Sequence, residues 1–339
     1  MRAASTLESL LLRAGGSLLS GAGTHASLLV LIYHRVVRER DPLLPDEPDA
    51  ATFAAHMDLL AAHFNALSLS EAVARLARGD LPARAVCVTF DDGYANNCEV
   101  ALPILRSRAI PATVFVAPGF LNGGRMFNDT IIEAVRRAAS RLDLHADGLG
   151  EFELPDAAAR IGAIDTIITR IKHLEPRARL AVADRVAAAA GGNLPTSLMM
   201  SDAQVRALHA AGIEIGAHTM SHPMLTQIDL PTARAEILSS KRVLEEMIDA
   251  PVRSFAYPNG RPVRDYGPTH VALAREAGFD YAVSTAWGAA TMRSDLLQIP
   301  RIAPWDRTPL GFGARMLRAY RQRSFAHADG TLRPSHVPG

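Results

Sequence analysis

Short apolar runs recur along this chain, each followed by polar residues, and the stretches between them carry helical spacing. The runs cover residues 28–33, 86–90, 112–116, 213–217, 253–257 and 281–284. Each has strand length and is rich in Val, Ile, Phe or Tyr. Residues 65–69 form a shorter strand candidate, and 296–302 a strand or near-strand. Strands alternating with helices predict a parallel sheet with helical crossovers, hence an α/β fold. No Gly-rich nucleotide fingerprint follows any of the runs, so a barrel is favoured over an open nucleotide-binding sheet.

The helices follow from caps and periodicity. Thr52 can cap a helix over residues 53–63, with Phe53, Met57 and Leu60 on one face. Ser70 can cap a helix that runs through Ala77 and ends at Gly79. Further helices are expected at 95–108, 201–211, 231–248 and 269–277. Between about 120 and 198 the alternation stops. That segment reads as helices at 129–141, 156–173 and 176–190, an inserted helical subdomain or lid without strands. The barrel is expected to span 25–323. Residues 1–24 are a helix or leader: Arg13 interrupts the leucines that precede it, which favours a short amphipathic helix over a cleaved signal. Residues 324–339 are polar and expected to be disordered. No run approaches the roughly 20 apolar residues of a membrane span.

Charge and cysteine content narrow the chemistry. The chain holds 36 basic and 35 acidic residues, a formal net charge of +1. No global field would attract nucleic acid, and an aromatic content of 6% provides no wide stacking platform. The two cysteines, Cys87 and Cys98, support neither a disulfide framework nor a Cys-rich zinc site. Attention falls on the end of the 86–90 run, where Asp91, Asp92 and Gly93 follow Phe90. Two carboxylates at the end of a core strand are costly unless something uses them. Side chains alternate along a strand, so one can bind a cation while the other handles a proton. His218 and His222 stand four apart after the 213–217 run. On a helical turn they would share one face, at the strand end where barrel active sites lie. With Asp92 they form a plausible zinc set with a position left for water, which cobalt or nickel could also occupy. Taken alone, the pair reads equally well as two polar loop residues.

Three stretches resemble motifs of the polysaccharide deacetylases of the NodB-homology type, in that family's order. They are Thr89-Phe90-Asp91-Asp92-Gly93, His218-Thr219-Met220-Ser221-His222 and Phe255-Ala256-Tyr257-Pro258-Asn259-Gly260. The resemblance spans roughly 28–302, the insertion excepted. It implies a distorted parallel (β/α) barrel, of about seven strands on this reading, and one divalent metal. It further implies that Asp92, His218 and His222 hold the metal and that Asp91 is the general base toward a metal-activated water. The backbone N–H of Tyr94 would help hold the oxyanion. Tyr257, Pro258 and Asn259, with Trp305, are the expected substrate contacts; Trp287 is a further stacking candidate.

Two departures from the family pattern matter. The late stretch that often carries a histidine acid is Leu-Leu-Gln-Ile-Pro-Arg-Ile here. His34, after the first strand, is the expected acid instead, an arrangement resembling the family's biofilm-polysaccharide branch. The arginine that often orients the base is replaced by Ala256. Arg301 is expected to substitute, because Arg253 begins its strand and should lie at the far end. The remaining histidines have no motif context. The resemblance thus implies removal of N-acetyl groups from a glycan, with O-acetyl hydrolysis or non-catalytic glycan binding as alternatives. The favoured location is cytoplasmic or peripheral to the cell envelope, with secretion as the alternative.

Overall fold

The computed structural model describes residues 6–334. In chain order the elements are α1 (Thr6–Ser20), β1 (Ser27–Tyr33), α2 (Ala50–His63), β2 (Asn65–Ala66), α3 (Leu69–Arg78), β3 (Ala85–Phe90), α4 (Leu102–Arg106) and β4 (Ala112–Val116). Then come α5 (Phe127–Arg137), β5 (Arg141–Leu144), β6 (Gly150–Glu153), α6 (Ala157–Ile171), α7 (Pro176–Ala189), α8 (Asp202–Ala210), β7 (Glu214–Ala217) and α9 (Leu230–Ile248). The last are β8 (Ser254–Ala256), α10 (Pro268–Glu276), β9 (Tyr281–Val283), β10 (Ala290–Thr291), α11 (Pro309–Arg321), β11 (Ser324–Ala326) and β12 (Leu332–Pro334).

Every residue of β1, β3 and β4 is buried, as unbroken apolar runs require. The strands lie in the order β10-β1-β3-β4-β7-β8-β9, with β2 also on β3. All pairs are parallel except β10 on β1. The sheet curls. Residues 299–302 bridge its two sides, Val283 to Ile299 and Leu31 to Ile302, both in the parallel sense. Ser284 N–H donates to Ile299 O at 2.8 Å, and Ile302 N–H to Val30 O at 2.9 Å. Pro300 lies between them without an N–H, so the closing segment makes isolated bridges rather than a ladder. The expected strand or near-strand at 296–302 is thus a 3-10 turn, Leu296–Gln298, followed by these bridges.

Several expectations need correction. Asp49, not Thr52, caps α2, its carboxylate accepting from Thr52 N–H. Ser68, not Ser70, caps α3, which ends at a left-handed Gly79. The helix expected at 95–108 is a π-helical turn, Asn97–Ala101, running into α4. The insertion is not all helical. β5 and β6 pair antiparallel inside it; β5 alternates exposed and buried residues over only four positions, and β6 has none buried. It has a core of its own, with Ile131, Val135, Leu142, Ile164, Ile167 and Val186. The tail through Pro334 is an antiparallel hairpin, β11 on β12, rather than disordered; residues 335–339 lie outside the described ones. α11 carries no signal used above, yet it packs on α1. A Cβ on its Gly313 would stand 2.7 Å from Leu12 Cδ2, so glycine permits that approach. Among the described residues, no helix is long and apolar enough to cross a membrane.

Candidate active site

β3 ends at Phe90, and the chain then turns sharply. Asp92 has φ +77° and Gly93 φ +90°. A left-handed aspartate is uncommon, and such backbone is held where the surrounding structure demands it. The turn breaks strand alternation, so Asp91 and Asp92 line the same cavity. Arg301 grips Asp91 with both terminal nitrogens, Nη1 to Oδ1 and Nη2 to Oδ2, each at 2.7 Å. Its other side-chain hydrogen bonds run from Nη1 to Thr89 Oγ1 at 3.2 Å and from Nε to Ser284 O at 3.0 Å. Burial alone would raise the Asp91 pKa, but Arg301, with His218 and His34, outweighs it and holds the carboxyl below its usual range. Arg253 lies elsewhere, paired with Asp280 at 3.0 Å on the surface.

His218 and His222 come together without a helix. Thr219 and His222 have φ +59° and +52°, so a left-handed turn sets their rings 4.7 Å apart. Thr219 Oγ1 accepts from His222 N–H at 3.1 Å. Glu236 of α9 accepts from the N–H groups of Met220 and Ser221, both at 2.8 Å. His218 Nδ1 donates to Ala256 O at 2.7 Å, which leaves Nε2 as the lone-pair nitrogen. The Nε2 atoms of His218 and His222 lie 3.4 and 3.5 Å from Asp92 Oδ1. That oxygen is buried and has no hydrogen-bond partner. An orphaned buried acceptor between two imidazole nitrogens, all ligand atoms lying within 4.8 Å of one another, fits a divalent cation. Burial pushes His222 down to about 4 despite the pull of Asp92, so it is neutral near neutrality, the form that ligates. Burial opposes protonation of His218 too, but Asp91 and Asp92 outweigh it and raise its pKa.

The cavity of about 420 Å³ is lined by Asp91, Asp92, Tyr94, His218 and His222, and by His34 and Asn259. Glu47 faces it beside His34, its pKa raised by burial against the pull of His34 and Arg35. Tyr94 pairs with Met199 in an antiparallel bridge. The bonds beside that pair run Ala95 N to Leu198 O and Met200 N to Gly93 O. Tyr94 is therefore in a non-hydrogen-bonded pair, its N–H directed away from Met199. Its phenol donates to Asp129 at 3.1 Å, and Arg35 lies 4.3 Å over its ring and 3.3 Å from Asp129. Burial pushes Asp129 up to about 6, against the pull of Arg35. Glu47, Arg35, Asp129 and Glu236 escaped the sequence reading because their partners are distant in the chain.

Three of the expected substrate contacts lie off this cavity. Tyr257 is fully buried, stacked on Tyr266 at 3.9 Å and donating to Leu297 O at 3.0 Å. Pro258 is buried beneath the turn that presents Asn259. Trp305, 65% exposed, lines a neighbouring groove that shares only Glu47 with the cavity. Trp287 borders neither. The insertion, by contrast, reaches the cavity through Phe127, Ile168, Lys172 and Arg179.

A buried arginine gripping one carboxylate, with a second carboxylate beside two imidazoles at the mouth of a parallel barrel, is an arrangement that fits a hydrolase. Sequence comparison gives the family. A sequence model of the polysaccharide deacetylases matches residues 78–146 and 178–282, more than half of the 339 residues, and the chain belongs to that family of glycan-deacetylating hydrolases. YxkH of Bacillus subtilis (strain 168), named for the same family, is 21% identical over 279 residues, 82% of this chain and 71% of its own. Two solved structures share the fold. Streptococcus pyogenes deacetylase PplD, in complex with acetate, has a TM-score of 0.57 at 19% identity, covering 86% of this chain and 98% of that one. IcaB from Ammonifex degensii has a TM-score of 0.54 at 21% identity, covering 89% and 98%.

Proposed function

We propose that the protein removes N-acetyl groups from a glycan with the help of one divalent metal, zinc by the chemistry of its donors. The observation that carries this reading is the division of labour between adjacent carboxylates. Asp91 is bound on both oxygens by Arg301, while Asp92 Oδ1 stands unpartnered between two imidazole nitrogens. Asp92, His218 and His222 would hold the metal, which when bound acidifies water and polarises the acetyl carbonyl. Asp91, kept ionised by Arg301, takes the proton from the attacking water. The Tyr94 N–H donates to the developing oxyanion. His34, which lines the cavity with Asp91 and Asp92, gives a proton to the leaving nitrogen. Asn259 contacts the sugar. Likeness in fold to a deacetylase solved with acetate supports the acetyl group as the one removed.

His34 is the part to test. An amide nitrogen leaves only once protonated, whereas an activated ester needs no such donor. His34→Ala should keep bound metal and slow N-deacetylation by about a hundredfold or more, the usual worth of a general acid. Hydrolysis of an activated acetyl ester should fall much less. Equal loss on both substrates would make His34 a positioning group, and no loss on either would remove it from the reaction.

A further inference from the structure

The cavity carries two cations that the deacetylation chemistry does not use. Arg179 of α7 lines it while only 6% exposed. Its guanidinium lies 4.3 Å over the Phe127 ring, and Nη1 donates to Lys172 O at 3.3 Å. Its Nε is buried without a hydrogen-bond partner, and it makes no ion pair among the described residues. The carboxylate nearest in sequence, Glu175, caps α7 by accepting from the N–H groups of Arg177 and Ala178. Lys172 lines the same side of the cavity and is likewise outside every ion pair among the described residues. The third basic rim residue, Arg261, is held by Asp265 at 2.8 and 3.1 Å. The acids that share the cavity are engaged elsewhere: Asp91 by Arg301, Asp92 between the imidazoles, and Glu47 beside His34, accepting from Arg35 N–H at 3.2 Å.

A buried arginine with an unused N–H is costly unless a ligand completes it. Held over the Phe127 ring, its guanidinium loses little further freedom when it pairs with an oxyanion. Lys172 adds a mobile charge next to it. Lys172 also falls in the stretch, 147–177, that the family's sequence model does not match, and Arg179 stands just past its end. Building on the deacetylase reading, we propose that the insertion forms an anion subsite, and that the glycan carries a carboxylate or phosphate on or next to the acetylated sugar. Arg179 and Lys172 are then specificity residues, selecting the substrate by its charge.

The test compares three probes: a neutral N-acetylglucosamine disaccharide, N-acetylglucosamine linked to glucuronic acid, and N-acetylglucosamine 1-phosphate. Binding is measured by calorimetry on the metal-loaded, full-length protein, with deacetylation followed separately. One of the anionic probes should bind about tenfold tighter than the neutral one, the scale of one charge-assisted hydrogen bond. The advantage should shrink in high salt. Arg179→Gln should collapse the anionic-to-neutral ratio. Lys172→Gln, at a partly exposed position where the fold tolerates it, should lower that ratio several-fold. A preference for the carboxylate probe points to a uronic acid polymer, and one for the phosphate probe to a glycosyl phosphate. Equal binding of all three probes, or a ratio unmoved in both variants, overturns the subsite. Absence of deacetylation with the anionic preference intact would instead sink the deacetylase reading and leave the subsite standing.

Discussion

Replacing Arg301 with glutamine isolates what the arginine does for Asp91. The side chain is 1% exposed and Asp91 3%. The substitution removes two 2.7 Å bonds and the only cation that touches Asp91 on both oxygens. Removing one partner of a buried pair costs about 3–5 kcal/mol, because the other charge is left uncompensated. The uncompensated charge favours the protonated acid, so the Asp91 pKa rises in the variant. In the wild type the depressed pKa contributes stability above the ordinary carboxylate value, and that contribution is lost as pH falls through the folded pKa. In Arg301→Gln the pKa is raised, so stability falls as pH rises through it. The stability gap should therefore be widest at neutral pH and close below about pH 4. Urea titrations across that range measure the gap. The acid limb of kcat/KM should move to higher pH with it. Arg301→Lys, which restores charge but not the two-pronged grip, should fall between. A gap that is constant with pH, together with an unmoved acid limb, would show that Arg301 only packs the barrel seam.

Two further outcomes follow from the same site. His222→Ala should lose bound metal on dialysis, as metal analysis of the purified protein would register, while the circular dichroism of the barrel persists; metal retained at full stoichiometry would exclude His222 as a ligand. Asp129, pushed up to about 6 by burial from an ordinary 3.8, makes stability fall as pH rises from about 4 through 6, by about 3 kcal/mol for two units. In metal-stripped protein Asp129→Asn should flatten that slope, and an unchanged slope in urea unfolding at pH 4.5 and 7 would place the titration elsewhere.

What could be read before the structure was whatever a short stretch of chain carries by itself. The runs at 86–90 and 112–116 are strands because their composition admits little else, and Asp91 and Asp92 announce themselves by interrupting such a run. Arg301 was legible for a related reason: it stands at the end of the late run read as a strand or near-strand, and the end of a barrel strand faces the mouth. The turn that joins His218 to His222 was misread because spacing by four suits a helix and a left-handed turn alike; only Thr219 and His222 at positive φ separate the two. The hairpin β5–β6 was missed because four residues per strand is too short a window for alternation to register. Arg35 and Asp129 meet across 94 positions, and no local pattern can report such a meeting. Those long-range pairs tie the insertion to the barrel. Asp129 sits in the first turn of α5, bonded to the ring of Tyr94 one residue past Gly93. The backbone that would hold the oxyanion is thus braced by the insertion, whose α6 and α7 pack against the α5 helix that carries Asp129.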